Sequence, residues 1–223
     1  MAPSALIVFG LFVADAALHL TAVAKKKERL RRITKVLLMP LLALTFVLGR
    51  LALSLEVPWI VVAALMLGCA GDTFLLNHHH PVGMPLGLAS FATGHILYTL
   101  TIWRLSSLPA WWLIVLLAAV YGTCVAVAYK KLQAFLPKAY RPVALFYMVL
   151  LSTLSASAAI NAQTTLHPGA FVVWAGTLLF MFSDSILSFE IFRNETRGSN
   201  LKVMAPYIAA QTLIVAGLFL QIP

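Results

Sequence analysis

Apolar residues run along this chain in long, nearly unbroken stretches separated by short polar segments, instead of recurring in the stripes of a soluble amphipathic helix. Hydropathy and helix-end signals predict spanning helices over 3–23, 33–53, 57–76, 84–103, 109–129, 141–160, 168–191 and 200–221, each close to the roughly 20 residues that cross a bilayer. Pro58, Pro81, Pro85, Pro109, Pro137, Pro142 and Pro168 fall at the breaks, where a missing amide proton does least harm. Pro40 and Pro206 fall inside spans and predict kinks. The expected fold is all-α: a polytopic membrane protein of eight transmembrane helices, forming a single integral-membrane domain over residues 1–223.

Composition sharpens this picture. Of 223 residues, 61% are hydrophobic and only 10% charged, which excludes an ordinary soluble domain and makes lipid the solvent. The net charge of +9 does not point to nucleic acid, because the basic residues sit in the breaks between apolar runs. Lys25, Lys26, Lys27, Arg29, Arg31, Arg32 and Lys35 follow the first span. Lys130, Lys131, Lys138 and Arg141 follow the fifth, and Arg193, Arg197 and Lys202 the seventh. With eight spans these all fall on one face, and only Arg50 and Arg104 fall opposite. The positive-inside rule then puts both termini outside and the basic loops in the cytoplasm. Cys69 and Cys124 lie in apolar runs as small hydrophobes, and no disulfide is expected. The first apolar run contains Asp15, lacks a basic leader and precedes the basic cluster, so it is expected to be a retained span, with the mature chain beginning near Met1.

Ionisable residues inside spans carry the chemistry, because an Asp at a span centre costs about 2.5–3.5 kcal/mol on insertion scales. Asp15, His19, Asp72, His95 and Asp184 qualify. At the helical rise, Asp72 and Asp184 come out roughly 7–10 Å inside the cytoplasmic boundary. Asp15, His19, Tyr147 and Tyr207 lie about 8–13 Å inside it, and His95 and Gln211 near 15 Å. Independent spans thus place polar groups in one layer, as a shared cavity requires. Asp15 with His19, His95 with Tyr98, and Tyr207 with Gln211 each share a helix face. Gly68 before Asp72 and Gly176 before Asp184 leave room for close packing or a substrate. Gly71-Asp72-Thr73-Phe74-Leu75 is echoed by Ser183-Asp184-Ser185-Ile186-Leu187 about half a chain later, which is compatible with two parallel four-helix halves or with chance.

Each residue also has a plainer explanation. His95 could be a hydrogen-bonded packing residue, and Asp15 and His19 could satisfy each other. Asp72 and Asp184 show no obvious basic partner at their depth, which favours a functional role. His78, His79 and His80 are consecutive, point in different directions and read as a solvated loop, not a metal site. No metal or other cofactor is expected.

At these residues the sequence resembles the YhhN family of integral membrane proteins, whose characterised members are lysoplasmalogenases. The likeness covers nearly the whole chain. It rests on Gly71-Asp72, on Phe91-Ala92-Thr93-Gly94-His95-Ile96-Leu97-Tyr98, on Phe182-Ser183-Asp184-Ser185-Ile186-Leu187, and on Tyr207-Ile208-Ala209-Ala210-Gln211. The resemblance implies Asp72 and Asp184 as catalytic carboxylates. His95, Tyr98, Tyr207 and Gln211 would surround the substrate, and Ser183, Asp15, His19 and Tyr147 belong to the same candidate set.

The implied reaction is hydrolysis of the 1-alkenyl ether of a lysoplasmalogen, giving a fatty aldehyde and glycerophosphoethanolamine or glycerophosphocholine. Protonation of the terminal alkene carbon forms an oxocarbenium ion that water attacks, and the hemiacetal collapses. One acid and one base suffice, as in glycoside cleavage. The expected partner is a lysophospholipid, with Phe91, Phe180 and Leu187 lining a tunnel for its chain. Lys35, Arg141 or Lys202 could meet its phosphate or simply set topology. The site would face the cytoplasmic leaflet of a bacterial plasma membrane, or of the endoplasmic reticulum in a eukaryote. A proton-coupled transporter and a zinc-dependent lipid amidase are the competing readings.

Overall fold

A computed structural model describes residues 3–76, 82–193 and 201–223. Eight α-helices account for most of them: α1 (Pro3–Ala24), α2 (Glu28–Ala52), α3 (Trp59–Leu75), α4 (Gly83–Leu105), α5 (Trp111–Leu132), α6 (Arg141–Thr165), α7 (Pro168–Arg193) and α8 (Leu201–Gln221). A single 3-10 turn, Lys138–Tyr140, leads into α6, and no strand occurs among the described residues. Each helix overlaps one expected span. Six of them, α1, α2 and α5 to α8, are long and apolar enough to cross a membrane by length and composition. Eight helices lie where the eight spans were expected, and six of them qualify as spans by length and composition. The reason is visible in α3, an apolar helix of only 17 residues, or about 26 Å at the helical rise against a hydrocarbon core of about 30 Å. The molecule is a multi-pass α-helical membrane protein.

One boundary moves for a clear reason. α2 starts at Glu28, five residues before the expected span, so much of the basic run is helical. Arg31 Nη2 lies 2.6 Å from Glu28 Oε1 and Arg32 Nε 3.1 Å from the same oxygen. These pairs sit three and four residues apart, and Glu28 faces the positive end of the helix dipole. Pro40 and Pro206 do fall inside α2 and α8.

The chain divides into two compact units, residues 1–101 with Pro223 and residues 102–222. In the first, α2 packs against both α1 and α3. Its buried positions Arg31, Thr34, Lys35, Leu38, Met39 and Leu42 recur at helical spacing, so the basic end of the helix turns charge inward. Arg50, expected as a loop charge, is wholly buried. Its Nε and Nη2 donate to the Glu56 carbonyl at 2.9 and 2.6 Å, closing the turn between α2 and α3. α3 and α4 meet at Gly71, where an added Cβ would stand 2.6 Å from the Phe91 ring.

In the second unit, α7 packs on α6 and α8, and α5 on α6. The α7–α8 contact is a seam of small residues. A Cβ at Gly176 would lie 2.9 Å from the Ala210 carbonyl, and one at Gly217 2.5 Å from the Gly169 carbonyl. Backbones approach this closely only where no side chain intervenes. Between α5, α6 and α7, Tyr121 Oη and Ser155 Oγ are 2.8 Å apart, Trp174 Nε1 donates to Tyr121 Oη at 3.1 Å, and Thr177 Oγ1 donates to Ser155 Oγ at 3.1 Å. Each hydroxyl thereby has a protein partner where water is scarce. Gly176→Leu is expected to wedge α7 from α8 and destabilise the protein by about 1–3 kcal/mol, read as a lower melting temperature in detergent. Gly10→Ala, at a site where a Cβ meets nothing within 4 Å, is the matched control and leaves it unchanged.

Candidate active site

α3 carries Asp72 near its C-terminal end with its side chain turned into the first unit, 3% exposed. Lys35 of α2 reaches it: Nζ stands 3.1 Å from Asp72 Oδ1, and both side chains are buried. This corrects two expectations. Asp72 has a basic partner, and Lys35 is neither a loop charge nor open to a lipid phosphate. Glu28 starts α2 early enough to carry Lys35 into the buried face, where a lone carboxylate or ammonium would be costly.

Asp15 and His19 lie one turn apart on α1, both buried. They do not satisfy each other. His19 Nδ1 bonds instead to Thr34 Oγ1 of α2 at 2.9 Å. His19 Nε2 and Asp15 Oδ2 are buried without a hydrogen-bond partner among the described residues. On α4, His95 and Tyr98 are both buried, and the His95 ring stacks on Phe91 at 6.4 Å between centroids. Phe91, expected to line a tunnel, is thus packed between Gly71 and His95.

In the second unit, Asp184 is half-buried on α7 and accepts a 2.7 Å hydrogen bond at Oδ2 from Tyr147 Oη of α6. A crevice of about 30 Å³ opens beside this pair, with Ala128, Leu132, Met148, Leu151, Ser185, Ser188 and Phe189 as its other walls. That space suits one water molecule. Ser183 faces elsewhere: its Oγ donates to the Val203 carbonyl at 2.9 Å and ties α7 to α8. Tyr207 and Gln211 are buried one turn apart on α8. Phe180, the second expected tunnel residue, is buried edge-on against Tyr207, with ring centroids 5.6 Å apart.

The two units repeat one arrangement with different chemistry. In each, a carboxylate on the third helix takes its partner from an early turn of the second. The partner is an ammonium, Lys35, in one unit and a phenol, Tyr147, in the other. Lys35 and Thr34 are the residues that sequence reasoning missed as site neighbours. The signal that could have found them is the spacing Arg31, Thr34, Lys35, Leu38, Met39, which places them on the face that α2 buries. Among the described residues, no three His, Cys, Asp or Glu side chains gather around a point where a metal ion could sit. His78, His79 and His80 lie outside the described residues.

The ion pair makes a specific stability prediction. Lys35→Met removes the cation from a buried carboxylate and is expected to cost about 3–5 kcal/mol. Adding Asp72→Asn to that variant removes the stranded charge and recovers most of the loss. Thermal unfolding of both proteins in the same detergent checks this, and equal melting temperatures for the single and double variants would contradict it.

The family model described as the YhhN family matches residues 30–218. The chain is 30% identical to human lysoplasmalogenase TMEM86B over 68% of its own length and 59% of that protein's. It is 27% identical to the rat lysoplasmalogenase TMEM86B over 78% of its own length and 68% of the relative's. It therefore spans about three fifths to two thirds of the length of these relatives. No solved structure matches. The family match covers Lys35, Asp72, Tyr147 and Asp184 alike, and the chain belongs to the YhhN family.

Proposed function

We propose that this chain is a lysoplasmalogenase: it hydrolyses the vinyl ether bond of a lysoplasmalogen with Asp72 and Asp184 as its two carboxylates. The observation that carries this reading is their unequal partnering, Lys35 on Asp72 and Tyr147 on Asp184. The relatives named as lysoplasmalogenases support it at family level. The reaction needs one group that gives a proton and one that stays ionised. Lys35 supplies the counter-charge for an ionised Asp72, so Asp72 orients the attacking water and stabilises the cation. The proton then falls to Asp184. Tyr147 donates to Oδ2 and fixes the orientation of the carboxyl.

The steps follow from this assignment. Asp184 protonates the alkene carbon remote from the ether oxygen, and positive charge develops on the carbon bonded to oxygen. Water held by Asp72 adds there and gives up a proton to the ionised Asp72 carboxylate, leaving a hemiacetal whose departing oxygen can take that proton back. Collapse of the hemiacetal breaks the carbon–oxygen bond, releasing a fatty aldehyde and leaving the hydroxyl on the glycerophospholipid. The substrate enters from the membrane, and the basic-residue count favours a site on the cytoplasmic side with both termini outside. His95, Tyr98, Tyr207 and Gln211 remain the proposed surroundings of the reacting atoms. Ser183 is assigned to positioning α7, through its bond to Val203.

Aldehyde release from purified protein given a lysoplasmalogen tests the reading. Wild type is expected to release aldehyde equally with and without a chelator. Asp72→Asn and Asp184→Asn are each expected to lose at least about a thousandfold in rate, as when an acid–base group of this kind is removed. Chelator-sensitive release would favour the zinc hydrolase, and no release from folded wild type would move proton-coupled transport to the front. Tyr147→Phe is expected to retain the fold and lose about tenfold in kcat, since one hydrogen bond to a reacting carboxyl is worth about 1.5 kcal/mol.

A further inference from the structure

Consecutive residues of α2 are held from two sides. Thr34 meets the His19 imidazole of α1, Lys35 meets Asp72 of α3, and the Val36 carbonyl accepts a hydrogen bond from the Cys69 thiol of α3 at 3.3 Å. Cys69 stands three residues before Asp72 and so shares its face of α3. Two different helices thus grip the turn that carries Lys35.

Each grip has a cause in the sequence. In an unbroken helix the Val36 carbonyl would accept from the amide of residue 40. That residue is Pro40, which has no amide proton and whose ring presses on the carbonyl four residues before it. Pro40 therefore removes the ordinary donor to Val36, and the Cys69 thiol takes its place. A thiol is a weak donor, but a carbonyl left without any is costly in lipid. On the other side, the Thr34 hydroxyl has one proton and donates it to the Leu30 carbonyl of its own helix at 2.9 Å. Toward α1 its oxygen is then the acceptor, and His19 donates through Nδ1–H. Both His19 and Cys69 are buried.

We propose that His19 and Cys69 are positioning residues, which fix the turn of Thr34, Lys35 and Val36 so that the Lys35 ammonium stays on Asp72. A lysine side chain is long and flexible, so one short contact persists only where its backbone is held. The hold on Lys35 stands on the contacts alone, and its effect on catalysis rests on the hydrolase reading.

The first test reads the thiol. In the full chain carrying Cys124→Ala, Cys69 is the remaining cysteine, and its S–H stretch falls in an infrared window that other protein groups leave clear. The band is expected below the position of a free thiol. Pro40→Ala is expected to raise it, because the helix amide then competes for the Val36 carbonyl. A band that does not respond to Pro40→Ala overturns the proposal.

Thermal melting in detergent reads the consequence for Lys35. Lys35→Met is expected to lower the melting temperature by about half as much in a His19→Leu, Cys69→Ala background as in wild type, because there the ion pair is already loosened. Equal lowering in both backgrounds overturns the proposal. Aldehyde release from a lysoplasmalogen supplies the link to catalysis. His19→Leu and Cys69→Ala are each expected to lower kcat by about tenfold with KM unchanged, as when a reacting group is slightly misplaced. His19→Asn, whose amide can reach Thr34 as Nδ1 does, and Cys69→Ser are expected to recover most of the rate. Losses as large in these conservative variants, or an effect confined to KM, overturn the positioning role. No aldehyde from wild type, with the infrared and melting results as expected, removes the hydrolase reading and leaves the hold on Lys35 standing. Pro40→Ala places a better helix former in α2, so the infrared result decides the question even where the leucine variant fails to fold.

Discussion

A carboxylate and an ammonium 3.1 Å apart inside an apolar helix bundle constrain more of this protein than any other contact. Either charge alone would be expensive in such surroundings, and together they are tolerable only at close range. That requirement fixes the register of α2 against α3, because Lys35 must reach Asp72. It also explains why α2 begins among basic residues. The turn containing Glu28, Arg31 and Arg32 has to be helical before Lys35 can face inward. Thr34, carried inward on the same turn, then becomes available to the His19 ring.

The second unit answers the same problem by other means. Its carboxylate sits in a corresponding place, on the third helix, but meets a phenol that can donate a hydrogen bond and carries no charge. Around it, hydroxyls and an indole satisfy one another across α5, α6 and α7, and glycines let α7 and α8 touch backbone to backbone. Two carboxylates with identical surroundings would titrate as equals and divide acid and base roles poorly. An ammonium beside one and a phenol beside the other make them chemically distinct.

Much of the fold was legible because lipid demands long apolar runs and prolines mark their ends. All eight helices overlap the expected spans, and both internal prolines fall where they were placed. Hydropathy was least informative where a helix is short, as in α3, or where charged residues are helical and buried, as at the start of α2. Averaging over a window hides which face a lysine occupies, so Lys35 counted as a topology signal when it was the partner of Asp72. The carboxylates themselves stood out because an intramembrane Asp is conspicuous. Lys35 did not, because a lysine near a span end is unremarkable in sequence, whereas the depth of Tyr147 already placed it in the candidate layer. Ser183 shows the converse: its place beside Asp184 suggested chemistry, while its hydroxyl serves the contact with Val203.

The order of these residues along the chain also bears on how the protein is made. Lys35 precedes Asp72, and Tyr147 precedes Asp184. Synthesis runs from the N-terminus, and early segments settle first. Each carboxylate therefore leaves the ribosome after the group that will receive it. Neither acid has to wait in lipid for a partner still to be translated, and the costly step of insertion is matched to its compensation within each half of the nascent chain.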